Sequence, residues 1–178
     1  MRAVIDTNVL LVANGQHQDV SEDCVAECVR RLQDMQNNGI TVIDDSHRIL
    51  SEYQNKTHLK PPKGVGDVFL KWLLQNKATA NRVEQVSITE TEENFFAEFP
   101  DSNLQPAFDA SDRKFAAVAN AHPHKPVILQ AADCKWLMWW PALAAKGVEV
   151  DFLCPEDACR VFEKKFPNQL IPKLPNAK

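Results

Sequence analysis

The 178-residue sequence has no basic excess, no long apolar run, no C-x-x-C pair and no glycine-rich phosphate loop. Each absence closes off a class of function. No apolar stretch approaches the roughly 20 residues that a bilayer-spanning helix needs, and no basic-then-apolar leader precedes the first strand. A cytoplasmic protein with no membrane partner is therefore expected. The formal net charge of −4 does not suit nucleic-acid binding by bulk electrostatics. Acids gathered around divalent cations would reverse that field locally. The missing G-x-G-x-x-G and P-loop patterns count against dinucleotide and NTP binding. The five cysteines, Cys24, Cys28, Cys134, Cys154 and Cys159, are read as buried or half-buried free thiols. Cys24 and Cys28 stand one helical turn apart, but neither spacing nor His122-Pro123-His124 matches a usual zinc-ligand pattern. No repeat or low-complexity segment is present.

What remains is ordinary for a globular protein: 44% hydrophobic and 25% charged residues, enough for one domain. Residues 1–166 read as that domain and 167–178 as an irregular tail. Residues 2–11 read as a buried strand. Ser21 before Glu22 and Asp23 marks a helix start, and Asn38-Gly39 its stop. A strand at 40–43 and a helix carrying Glu52 follow, broken by Pro61-Pro62. A helix around Val68–Leu73, a strand at 83–88 and a helix over 92–99 come next. The run from Asp112 to Ala119 is helical in period, 127–130 and 148–153 are strands, and 156–165 is the last helix. This alternation predicts an α/β fold, a Rossmann-like three-layer α/β/α sandwich around a mainly parallel central sheet. Sites in such sheets form beyond the carboxyl ends of the strands, where strand order switches.

Four acids stand where they can converge there: Asp6 in the opening Val4-Ile5-Asp6-Thr7-Asn8-Val9-Leu10, Glu52 in a helix, Asp112 at a helix start, and Asp133 just past a strand. Taken singly, Asp112 and Asp133 could cap helices, and Glu52 could be a solvated helix residue. Asp6 has apolar flanks on both sides, where an unpaired charge is costly. Clustered carboxylates raise one another's pKa, and hard cations such as Mg²⁺ or Mn²⁺ relieve that repulsion through carboxylate and water oxygens.

These segments, in this order, resemble PIN-domain ribonucleases. Val-Ile-Asp-Thr-Asn-Val-Leu is similar to the family's opening strand with its first metal-binding aspartate. Ile49-Leu50-Ser51-Glu52-Tyr53 resembles its glutamate-bearing helix, and Asp112-Arg113-Lys114-Phe115-Ala116-Ala117-Val118-Ala119 its aspartate before an alanine-rich helix. Val127-Ile128-Leu129-Gln130-Ala131-Ala132-Asp133 resembles the strand leading to the fourth acid. The resemblance spans roughly residues 2–160. It implies a PIN-like fold and hydrolysis of RNA phosphodiesters, leaving 5′-phosphate and 3′-hydroxyl ends. Asp6, Glu52, Asp112 and Asp133 would hold Mg²⁺ or Mn²⁺, Asn8 would orient Asp6 or water, and Thr7 would assist. It also implies possible partners: a second copy of the chain, or an antitoxin if the protein is the toxin of a toxin–antitoxin pair. Two departures stand out. Ala131 replaces the Thr or Ser that the family often places two residues before its fourth acid, and Asp109 competes with Asp112 as the third. Phe115 and the alanines follow Asp112 at the helical offsets, which favours Asp112.

Lys56, Lys60 and Lys63 follow Glu52 closely and are read either as a solvated loop or, with Arg113, as RNA phosphate contacts. Trp136-Leu137-Met138-Trp139-Trp140 is apolar all round a helix and is read as core, with an interface as the alternative. Among other α/β classes, dehalogenase-type phosphatases need an acid where Asn8 stands, and Asp44-Asp45 only faintly echoes a response-regulator receiver. The remaining rival is a PIN-like scaffold that binds RNA or protein without catalysis.

Overall fold

The structure, a computed structural model, describes residues 1–175. The expected tail over 167–178 has no regular element as far as 175, and its last three positions lie outside the described residues. Trp140 Nε1 donates to the Lys173 carbonyl at 2.8 Å, so the tail folds back against the domain.

The expected α/β sandwich is what the chain forms. Five strands, β1 (Arg2–Ile5), β2 (Ile40–Asp44), β3 (Val83–Val86), β6 (Val127–Gln130) and β7 (Val150–Phe152), make one parallel sheet in the order β3-β2-β1-β6-β7. Helices α1 (Thr7–Ala13), α2 (Glu22–Asn38), α3 (Arg48–Lys56), α4 (Val65–Asn76), α5 (Arg113–Ala121), α6 (Trp136–Ala145) and α7 (Pro155–Lys165) flank it. The sheet runs outward from β1 in both directions, towards β2 and β3 on one side and β6 and β7 on the other. The switch in strand order therefore lies between β1 and β6, and the carboxyl ends of these strands are where sheets of this type place their sites.

The opening segment departs from the expected strand over 2–11. Strand β1 ends at Ile5, and Thr7–Ala13 is helical. Asp6 is the hinge: its backbone is extended, its N–H still pairs with Leu129 O at 3.0 Å, and its carboxylate caps α1 by accepting the Asn8 N–H at 2.8 Å. Helix α1 is buried at Thr7, Val9, Leu10, Val12 and Ala13, and it packs against α2, α3 and α4. Gly66 in α4 makes this possible. A Cβ there would fall 2.3 Å from the Leu10 carbonyl oxygen.

A second correction concerns residues 92–99, which are not helical. They form part of an antiparallel hairpin, β4 (Glu90–Glu92) with β5 (Phe95–Phe96). Asn94 turns it with φ at 58°, which a helix cannot hold. Gln105 then clamps Phe96 by accepting its N–H at 2.8 Å and donating to its carbonyl at 3.2 Å.

Trp136, Leu137 and Trp139 enter the core as expected, Trp139 stacking on Phe108 at 4.0 Å with Trp136 edge-on to the same ring. Met138 and Trp140 depart from that expectation, Met138 being exposed and Trp140 half-buried. The cysteines do not all remain thiols: Cys24 on α2 and Cys154 before α7 are joined by a disulfide, with Cα atoms 5.2 Å apart. Cys28, Cys134 and Cys159 are free. The reason is topological, because the turn after β7 sets Cys154 against α2, a meeting that no sequence spacing announces. Among the described residues, no helix is long and apolar enough to cross a membrane.

Candidate metal centre

Three of the four acids lie at elements that end on the β1–β6 switch. Asp6 follows β1 directly. Asp133 is three residues past β6, in a turn shaped by Gln130, whose Oε1 accepts the Ala131 N–H at 2.8 Å and the Asp133 N–H at 3.4 Å. Asp112 immediately precedes α5, the helix packed against β1, β2 and β6. Asn8 links two of these positions. Its side-chain carbonyl accepts the Ala132 N–H at 3.0 Å, tying the first turn of α1 to the loop that bears Asp133. Its expected orientation of Asp6 is exerted only through its backbone N–H.

Asp6 and Asp112 are 4% and 9% exposed, while Asp133 is half-buried. Among the described residues none of the three forms an ion pair. Their electrostatics follow. Burial, then the negative charge of Asp112, pushes the Asp6 carboxyl well above the ordinary carboxylate range, with Asp133 and Glu52 adding to it. Burial and the neighbouring Asp133, Asp109 and Glu52 raise Asp112 to about 7. Asp133 is also raised, again chiefly by burial. Two buried acids and a half-buried third repel one another with no ion pair of their own, opposed only by the nearby charges of Lys114, Lys135 and Lys165, a repulsion that a cation would relieve.

Glu52 reaches the same cluster from α3 but is already engaged. Thr7 Oγ1 donates to its Oε1 at 2.5 Å, and the Lys114 ammonium donates to its Oε2 and to the Ser111 carbonyl. Thr7 thus acts on Glu52. Lys114 is a member of the site that the sequence reading overlooked, and a lysine inside the otherwise apolar Phe115–Ala119 approach was the available signal. Asp109, the rival third acid, pairs with Lys135 at 2.8 Å and sits nearer the surface than Asp112.

No three of these acids bring carboxylate oxygens within 4.8 Å of one another, a spacing met among the described residues only by Cys24, Cys28 and Cys154. A hydrated hard cation keeps several of its waters and needs only one or two carboxylates as direct ligands. An all-oxygen donor set of this kind would favour Mg²⁺ or Mn²⁺ over softer metals. Comparison with family models, curated proteins and solved structures finds no match. The reading of this centre rests on its own residues.

Cavities of about 490 and 480 Å³ open elsewhere, beside the Cys24–Cys154 disulfide and beside His122, and neither is lined by the acids. Charge and topology, not concavity, single out the acidic centre. Lys56, Lys60 and Lys63 are exposed. Lys56 closes α3, one turn after Glu52, while the other two lie in a loop organised by Asp67, whose carboxylate accepts from His58 N, Lys63 N and Gly64 N. Arg113 corrects its expected role as an RNA contact. It is buried, bonds to the Phe108, Asn94 and Pro106 carbonyls, and lies over the Phe95 ring at 4.1 Å. Its guanidinium is spent on holding the hairpin to α5. Asp44 is likewise structural, since its carboxylate accepts the Ser46, Arg48 and Ile49 N–H groups and starts α3.

Proposed function

We propose that the protein is a Mg²⁺- or Mn²⁺-dependent ribonuclease of the PIN type, acting in the cytoplasm on RNA phosphodiesters. One observation carries the reading: two buried carboxylates and a half-buried third, none in an ion pair and each raising its neighbours' affinity for a proton, stand where the parallel sheet switches strand order. Asp6, Asp112 and Asp133 are the oxygen donors. Glu52, fixed by Thr7 and Lys114, stands at their edge as an outer acceptor for water. When bound, the cation would polarise the phosphate and lower the pKa of a water. Asn8 holds the Asp133 loop against α1 and so sets the spacing of the first and fourth acids. The exposed Lys56, Lys60 and Lys63 would supply positive charge for the RNA backbone.

The test is cleavage of labelled RNA with Mg²⁺ or Mn²⁺, with a chelator as control, by the wild type and by Asp6→Asn and Asp112→Asn. Loss of at least about 100-fold in both folded variants is expected. Undiminished cleavage in both would overturn the reading. A second reading, a non-catalytic PIN-like scaffold for RNA or protein, is favoured by the engagement of Glu52 with Lys114 and by Ala131 standing where a hydroxyl is expected. RNA retained by the wild type without acid-dependent turnover would establish it. An antitoxin or a second copy of the chain as partner belongs to the same proposal, and co-expression with a neighbouring small reading frame would test the former.

A further inference from the structure

Another group of ligating side chains meets at the junction of α2 and α7, and it is independent of the acidic centre and of the nuclease reading. Cys24 and Cys28 lie one turn apart on the same face of α2, and Cys154 is delivered to them by the turn after β7. All three sulfurs lie within 4.8 Å of one another. We propose that Cys24, Cys28 and Cys154, in their thiol form, bind a zinc-class cation.

The disulfide alone does not account for the cluster, because it uses two sulfurs and a third is held against it. Cys28 is fully buried with its Sγ 3.9 Å from that of Cys154. Zinc bound at about 2.3 Å by tetrahedrally placed thiolates sets neighbouring sulfurs about 3.8 Å apart. The Cys28–Cys154 separation already matches that edge. The cavity of about 490 Å³ beside the cluster is lined by Cys24 and Cys154 together with Glu27 and Asp157. It gives a cation access and leaves the fourth position to water, since Glu27 is paired with Arg30 and Asp157 is held by Ser21 and Arg160.

The bonds balance simply. A phosphine and water reduce the Cys24–Cys154 bond to two thiols and a phosphine oxide. The cation then replaces the proton on each of the three sulfurs, releasing three protons.

The test is anaerobic titration of the phosphine-reduced full chain with Co²⁺, followed by displacement with Zn²⁺. One cobalt per chain, with thiolate-to-metal charge transfer and the strong visible bands of tetrahedral cobalt, is expected. Cys28→Ser should lose about a third of the charge-transfer intensity and weaken binding by more than the roughly 10–100-fold that losing an outer partner costs. Cys159→Ser, outside the cluster, should change neither. Absence of the bands in the reduced wild type overturns the proposal, and so do bands that Cys28→Ser leaves intact. Should Cys28→Ser fail to fold, Cys28→Ala takes its place, and the wild-type titration is decisive without either.

Discussion

At the residue scale, Asp112 contributes with Asp6 and Asp133 to the pH response of the metal-free protein. Its carboxyl titrates at about 7 in the folded chain, because burial and neighbouring acids disfavour its charge. In the unfolded chain it titrates near 3.9. The folded state therefore holds the proton more tightly. The stability this adds is fully present below about pH 4 and is lost as pH rises through about 7. Asp112→Asn cannot ionise, so without divalent metal it should be more stable than the wild type at pH 8, by about 1–3 kcal/mol. The two should converge near pH 4. Thermal melts in a chelating buffer at both values check the sign. Thr7→Val should leave the fold intact while freeing Glu52 Oε1, and a several-fold fall in RNA cleavage without loss of metal binding would show it in rate measurements. The acids themselves were legible because strand ends and helix starts are local signals. The Lys114–Glu52 pair was not, since it joins α3 to α5 across 62 residues.

At the element scale, the close contact of α1 with α4 depends on Gly66. Gly66→Ala places a methyl against the Leu10 carbonyl, and forcing the helices apart should cost about 1–3 kcal/mol or more in denaturant unfolding. The same contact explains a misread element. Val9–Val12 is a short apolar run, and periodicity alone cannot tell a buried strand from a buried helix at that length. The tertiary slot between α2, α3 and α4 decides for helix. Residues 92–99 were misread for a related reason, because the turn at Asn94 and the Gln105 clamp on Phe96 both outweigh local helix propensity. The capped helices were easier, and the Ser21 cap on α2 lies where the sequence put it.

At the scale of the whole molecule, the order β3-β2-β1-β6-β7 brings the residues that follow β1 and β6 side by side at one end of the sheet. Alternation of strands and helices made that sheet legible. The meeting of Cys154 with α2 was not, since the residues are 130 apart. The positive rim belongs to this scale too. Replacing Lys56, Lys60 and Lys63 together with Gln should lower the salt-dependence slope of RNA binding by about one unit for each lysine that contacts phosphate. An unchanged slope would leave them a role in solubility only.

A cation site at Asp6, Asp112 and Asp133 would bind divalent metal with a measurable release of protons. Calorimetric titration of the metal-free chain with Mn²⁺ at pH 7.5 tests it most directly. Saturable binding is expected, with protons released as the raised acids ionise, and Asp6→Asn should abolish it in a chain that still folds. Binding of equal affinity in Asp6→Asn and Asp112→Asn, or no saturable binding by the wild type, would contradict the account.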